Sequence, residues 1–187
     1  DACRRILQRG AHPAVLRLYD AAESRRNHSA DGTQCVLLVM DQGDAASVNA
    51  HMAVVHEECL ATTSCRPTDS TLVDHWMDHR NDTSALQALT TKGYVVDTME
   101  IAAPWSQLGL IHERVLAALS GVDHARSASC HLSHSYDDGA CLYFTFAASP
   151  PPELIESTYV ALWNAGTAAA LDSGANLSHH HGIGLNR

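Results

Sequence analysis

Ser178-His179-His180-His181-Gly182-Ile183-Gly184, close to the C-terminus, is the stretch of this chain best suited to chemistry. Three consecutive imidazoles place titratable, hydrogen-bonding groups at one point, and an imidazole changes charge near neutral pH. Two glycines let the backbone approach a ligand closely. A packed core has no use for three adjacent histidines. A purification tag would sit at a terminus, whereas this run has three histidines only and Gly-Ile-Gly-Leu-Asn-Arg behind it. Such a triplet can donate hydrogen bonds to an anionic ligand, shuttle a proton, or ligate a metal.

Two further side chains stand beside it. Tyr143 falls on the polar side of an alternating segment, where a phenol can act as acid or base or orient a substrate oxygen. Arg17 lies on the opposite face of its segment from Leu16 and Leu18, a placement that suits a carboxylate or phosphate. Other candidates read more simply as surface or local structure. His75 and His79 have zinc-compatible spacing, but Trp76 stands where an HExxH motif has its glutamate, so they are assigned to a solvated helix face. His51 and His56 read as surface, Asp20 and Glu23 as ordinary surface charge after a strand, Asp41 and Asp44 as turn and cap residues. Cys59 and Cys65 lack ligand spacing, and no metal site is assigned. Neither a GxGxxG nor a GxxxxGK[ST] phosphate loop is present, and there is no GxSxG. The main grip on any nucleotide cofactor therefore lies outside these residues.

The elements that must position these groups are partly legible. Ala14 to Tyr19 reads as a strand, and Cys35 to Met40 as a strand buried on both sides. Asp44 caps a helix carrying Val48, Met52, Val55 and Cys59. Pro67-Thr68-Asp69 opens a helical stretch with Leu72, Val73 and Trp76, and a further turn or two holds Leu86 and Leu89 before Lys92-Gly93. Tyr94 to Ile101 is a strand. Pro104 opens a helix striped by Leu108, Ile111, Val115 and Leu119 and ended by Gly121. Residues 127–135 and 140–146 alternate around the turn signal Asp137-Asp138-Gly139 and predict a hairpin. Pairing Tyr136 with Ala140 sets Leu132 opposite Phe144 and Cys130 opposite Phe146 on one face, with Ser133 opposite Tyr143 and His131 opposite Thr145 on the other. A last helix starts in the Pro150 to Glu153 region and ends near Gly174. The mixture predicts an α+β fold with a largely antiparallel sheet.

At 187 residues the chain can bury a real core, and 45% apolar content excludes disorder. A formal charge of −9 argues against a nucleic-acid binder, and no apolar run approaches the roughly 20 residues of a membrane span. Lys92 is the sole lysine, which fits a GC-rich genome. Six scattered cysteines without any CxxC favour free thiols in a reducing compartment. The chain opens Asp1-Ala2-Cys3 without an initiator methionine or signal peptide, and stops right after its most suggestive motif. It reads as a piece of a longer protein, so a missing targeting signal says little of location.

Four segments in order carry a resemblance over essentially the whole chain. They are residues 13–20 (PAVLRLYD), 96–105 (VDTMEIAAPW), 136–144 (YDDGACLYF) and 178–184 (SHHHGIG). The series resembles the C-terminal (cap) domain of FAD-linked oxidases of the vanillyl-alcohol oxidase type, in particular the alkyldihydroxyacetonephosphate synthases and their bacterial relatives. The resemblance implies a ferredoxin-like α+β cap, residues 1–187, laid over the flavin of a separate N-terminal FAD domain. That domain and the C-terminal end would lie outside the chain. In the synthase, FAD takes a covalent role at the substrate carbon while a fatty alcohol replaces an acyl group, without net redox change.

Residue by residue, the resemblance implies catalytic roles for Tyr143, His180 and His181, substrate contacts for Arg17 and His179, and cofactor contacts for His181 and Gly182. It implies a small-molecule or lipid-like substrate, the chain's own N-terminal FAD domain as partner, and compatibility with a homodimer. The location would be a bacterial cytoplasm, or a peroxisome for a eukaryotic synthase. One departure stands out: counting back from Pro104 without gaps puts Leu86-Gln87 where the synthase has an Arg-Asp pair. A FAD-dependent oxidase or dehydrogenase of a 2-hydroxy acid or alcohol is the alternative, and a metal-binding module built on the triplet is a third reading.

Overall fold

The alternation that defines the strands folds into one antiparallel sheet. Residues 1–62 and 64–186 are described, in a computed structural model; Thr63 and Arg187 lie outside the described residues. The elements run α1 (Ala2–Gln8), β1 (Val15–Tyr19), α2 (Ala21–His28), β2 (Val36–Met40), α3 (Ala45–Leu60), α4 (Thr71–His79), α5 (Ser84–Thr91), β3 (Val95–Pro104), α6 (Leu108–Ser120), β4 (Ala125–Ser135), β5 (Gly139–Ala148) and α7 (Ile155–Asp172). A single 3-10 turn, Pro152–Leu154, leads into α7. Among the described residues the strand order is β2-β1-β4-β5-β3, and every neighbouring pair is antiparallel. β3 and β4 flank β5 and are joined by α6, a split β-α-β arrangement. The architecture is α+β, as expected.

One face of the sheet is the core. Met99 and Ile101 of β3, Phe144 and Phe146 of β5, and Cys130 and Leu132 of β4 meet Ile111, Val115 and Leu119 of α6 and Leu162 and Trp163 of α7. The α6 stripe read from sequence is wholly buried. Towards β1 and β2 the same face continues through Leu16, which packs with Cys3, Ile6 and Leu7 of α1 and Val55 of α3. Arg5 of α1 and Arg9, at its C-cap, pair with Glu58 of α3, and Arg9 also with Glu57.

The differences from expectation are local. β2 is an edge strand in which only Leu38 is fully buried, not a strand buried on both sides. On α3 only Val55 of the expected stripe is buried, and Met52 is 36% exposed. Pro104 ends β3 instead of opening a helix. It pairs with Gly139 on an edge strand, where a missing N–H costs no outer ladder bond. The helices α1 and α2 were not anticipated, one being short and the other polar.

The hairpin forms in another register. Tyr136 N–H donates to Gly139 O, so the loop has two residues instead of three, and a bulge between Leu132 and Ser135 takes up one residue of β4. His131 therefore faces Tyr143, Leu132 faces Leu142 and Cys130 faces Phe144. The net slip is two residues. Because strand side chains alternate with period two, Cys130, His131, Leu132, Tyr143, Phe144, Thr145 and Phe146 stay on their predicted faces, while Ser133 falls inside the bulge.

Candidate active site on the polar face of the sheet

The face away from the core carries a transverse row across four strands. Tyr19 pairs with His131, His131 with Tyr143, and Tyr143 with Glu100. Arg17 lies two residues before Tyr19 on this face, and Thr98 two before Glu100. Packing tightens the row: the rings of His131 and Tyr143 stack at 5.0 Å with planes 19° apart, and Tyr19 lies 5.0 Å from His131 on the other side.

The triplet reaches this row from the far end of the chain. After α7, Gly174 turns the backbone with φ +85°, and Asn176 clips the tail to β3. Its N–H donates to Ala102 O, and its side-chain oxygen accepts Ala102 N–H at 2.7 Å. Three residues later the tail crosses onto the polar face. The carboxylate of Glu100, 0% exposed, accepts the backbone N–H groups of His179 at 2.9 Å and His180 at 3.4 Å on Oε2. Its Oε1 is buried without a hydrogen-bond partner and lies 3.4 Å from Nδ1 of His179 and 3.3 Å from Nδ1 of His180.

The imidazoles gather there. His179 Nδ1 and His180 Nδ1 are 3.0 Å apart, and His179 Nε2 meets the Tyr136 hydroxyl at 2.9 Å. His134 of β4 adds a ring 5.5 Å from His179 and 4.8 Å from His180. His181 stands edge-on to Tyr143, 5.5 Å between rings. Gly182 takes φ +75° in the exposed tail. Tyr143 donates its hydroxyl to Thr98 Oγ1 at 3.0 Å.

Arg17 joins the site through His131. Its NH2 group lies 3.0 Å from His131 Nε2, its guanidinium carbon sits 5.3 Å over the Trp76 ring, and its Nε is buried with no hydrogen-bond partner. The structure thus gathers Arg17, Tyr143, His179, His180 and His181 on one face of the sheet, with Gly182 next in the tail.

Charge is tuned across the cluster. Burial pushes the Glu100 carboxyl up, but the N–H donors of His179 and His180 and the adjacent His180 ring outweigh it, so it sits below the ordinary range. Burial, then the neighbouring His180, His179 and Arg17, hold His134 below the ordinary imidazole value. Burial and the Glu100 carboxylate raise the Cys141 thiol to about 12. Two donor sets among the described residues could hold a metal ion: Glu100, His179 and His180, or His134, Cys141 and His179, with ligand atoms within 4.8 Å in each set.

Three carboxylates that support the site were not singled out from the sequence as part of it. Asp20 and Glu23 are not ordinary surface charge. Asp20 caps α2 by accepting Glu23 N–H, and its Oδ2 accepts Cys130 N–H at 2.6 Å. Glu23, 3% exposed, lies 3.0 Å from His131 Nδ1. The spacing Asp-x-x-Glu is a capping-box signal that could have revealed α2. Glu100 lies inside the 96–105 segment, and its alternation with Met99 and Ile101 was the available signal. The remaining candidates are peripheral: His75 and His79 are exposed on α4, and Leu86 is 37% exposed on α5. All six cysteines are free. No helix among the described residues is long and apolar enough to cross a membrane.

The family profile described as FAD linked oxidases, C-terminal domain, matches residues 1–187. An uncharacterized FAD-linked oxidoreductase of Escherichia coli, YgcU, is 29% identical over 200 residues, which cover 98% of this chain and 41% of that protein. The alkyldihydroxyacetonephosphate synthase of Trypanosoma brucei brucei is 22% identical over 95% of this chain and 34% of its own length. A solved structure of an alkyldihydroxyacetonephosphate synthase superposes with a TM-score of 0.74 at 20% identity, over 94% of this chain and 37% of that one. The chain thus spans well under half the length of these relatives.

Proposed function

The chain belongs to the FAD-linked oxidases, through their C-terminal domain, and from that premise we propose that it is the substrate-binding cap of a flavoenzyme resembling alkyldihydroxyacetonephosphate synthase. FAD is the cofactor of this family. The observation that carries the reading is the docking of the histidine tail on Glu100, which sets His179 to His181 beside Tyr143 on one face. That face fits one side of a flavin, since exposed imidazoles, a phenol and the exposed Gly182 lie together on it. No phosphate-cradling loop occurs in the chain, so the FAD grip belongs to a separate N-terminal domain, with His181 and Gly182 as the cap's own contacts.

The flavin, when bound, supplies the centre at which the substrate carbon is held during exchange of acyl for alkyl. The rest is work for this chain. Arg17 anchors the anionic group of the substrate, and His179 lines its path. His180 and His181 move protons at the reacting carbon and at the entering and leaving oxygens, for which an imidazole is matched near neutral pH. A carboxylate only accepts, so a proton on His180 Nδ1 turned to Glu100 leaves Nε2 of that ring as the base. Tyr143 orients a substrate oxygen, its ring held by His131 and its hydroxyl by Thr98.

A second reading, an oxidase or dehydrogenase of a 2-hydroxy acid or alcohol, is favoured by Leu86 in place of the synthase arginine and by the oxidoreductase name of the Escherichia coli relative. Both readings predict that the full-length protein purifies yellow. Exchange of acyl for alkoxy without an electron acceptor supports the synthase, while bleaching of the flavin by a hydroxy acid supports the oxidase. A colourless full-length protein that takes up no FAD defeats both.

A further inference from the structure

Arg17, His131 and Glu23 form a chain of hydrogen bonds behind the candidate site. Glu23 Oε1 lies 3.0 Å from His131 Nδ1, and His131 Nε2 lies 3.0 Å from Arg17 NH2. The three come from α2, β4 and β1. Glu23 and His131 are 3% and 8% exposed, so these contacts are shielded from water.

The partners decide where the imidazole proton sits. A guanidinium can only donate, so it needs a lone pair on Nε2. An ionised carboxylate can only accept, so it needs the proton on Nδ1. One tautomer of a neutral ring meets both demands. Glu23 is itself fixed: its backbone N–H is capped by Asp20, and its Oε1 is approached by Arg26 at 3.4 Å and by Asn27 at 3.4 Å.

A neutral ring between the two charges has a consequence for Arg17. A direct Arg17–Glu23 ion pair would neutralise the guanidinium and occupy it in a bidentate fork. With His131 interposed, one N–H is held in place while the positive charge is not cancelled by direct contact. The Nε–H of Arg17 is buried without a partner, and the Trp76 ring lies 5.3 Å from the guanidinium carbon. A buried, oriented donor left unsatisfied is costly unless a ligand completes it.

We infer that His131, locked by Glu23 in its Nδ1-protonated form, is a positioning residue that holds Arg17 ready as the anchor for a substrate oxyanion. The ligand class is a phosphate or carboxylate, whose oxygens accept from the remaining guanidinium donors. This rests on the proposed role of Arg17, but it concerns binding and proton position and is tested without turnover.

The test uses the full-length protein with inorganic phosphate and, separately, acetate as probes, their dissociation constants measured by calorimetry. Tighter binding of one tells whether the natural anion is a phosphate or a carboxylate. His131→Phe keeps a ring against Tyr143 but offers no nitrogen, and is expected to weaken the preferred anion about 10-fold or more. Combined with Arg17→Ala it should add little to the loss from Arg17→Ala alone, because both remove one anchor. Nitrogen-15 NMR of selectively labelled histidine should find the His131 proton on Nδ1 in the wild type and displaced in Glu23→Gln. Wild-type affinity in a folded His131→Phe variant, additive losses in the double variant, a proton on Nε2, or no oxyanion binding at all would each overturn the inference. If His131→Phe does not fold, the tautomer and the Glu23→Gln affinity decide it. A colourless protein that still binds oxyanion through Arg17 and His131 would overturn only the flavoenzyme reading.

Discussion

Glu100 accepts the backbone N–H of His179 on Oε2 at 2.9 Å, although 79 residues separate them. This contact places the histidine tail, because the tail itself has no regular secondary structure beyond Asn176 to hold it. Glu100→Ala is expected to leave the sheet intact and to misplace the triplet. A displacement of about 1 Å at a reacting group costs on the order of 10²-fold in rate. Steady-state turnover of the full-length protein, with flavin absorbance as a check on folding, measures this. Retention of full activity by Glu100→Ala would show that the tail is held elsewhere.

The same carboxylate predicts an acid limit. Its pKa in the folded protein lies below its ordinary 4.5. A depressed carboxyl contributes stability that is present above the unfolded value and lost as pH falls through the folded one. The tail anchor should therefore persist through mildly acidic pH and fail only below about 4.5. Hydrogen exchange at the amides of His179 and His180, followed against pH, reports it directly.

Tyr143→Phe separates chemistry from packing. The ring keeps its stack on His131, and only the hydroxyl bond to Thr98 is lost, so stability should fall by about 1 kcal/mol. Turnover should fall by roughly 10²- to 10⁴-fold if the hydroxyl serves the reaction. Urea unfolding and kinetics on the same sample separate the two effects; equal turnover would remove Tyr143 from the machinery.

His28 gives the protein a stability that depends on pH near neutrality. Burial pulls its pKa below the ordinary 6.5, with Glu23 opposing and His75 and His131 adding to the shift. Neither ring nitrogen has a hydrogen-bond partner, and the ring stands edge-on to Tyr19 at 4.6 Å. The unfolded chain takes the proton first, so stability is fullest above 6.5 and declines as pH falls from there towards the folded pKa. The urea midpoint should drop between about pH 7.5 and 5.5. His28→Phe, which keeps an edge contact with Tyr19, should flatten that slope; an unchanged slope would assign it to other groups.

Gly139 lies where the β4–β5 turn meets the end of β3, and an added Cβ would collide with the Ala103 carbonyl oxygen. Backbone cannot swing aside as a flexible side chain does. Gly139→Ala should cost about 1–3 kcal/mol, read from chemical denaturation. It should also disturb the Tyr136 contact with His179, since Tyr136 N–H is bonded to Gly139 O.

Local pattern alone determined which residues share a face. Alternation put Arg17 opposite Leu16 and Leu18, and Tyr143 opposite Leu142 and Phe144, and a hairpin slip of two residues left those faces intact because the strand period is two. The α6 stripe was legible for the same reason, its spacing being a property of a few adjacent turns. What tertiary structure decided is which strands lie side by side and what the tail rests on. The row Tyr19, His131, Tyr143 and Glu100 joins four strands whose register no short segment encodes. Asp20 and Glu23 look like solvent charge in sequence, because a carboxylate is tolerable when buried only if donors reach it, and besides local donors from α2 each is reached by one from β4, 108 or more residues away. The histidine triplet could be singled out from residue types, but its place could not: that depends on Glu100, an acid whose burial only the assembled sheet makes possible.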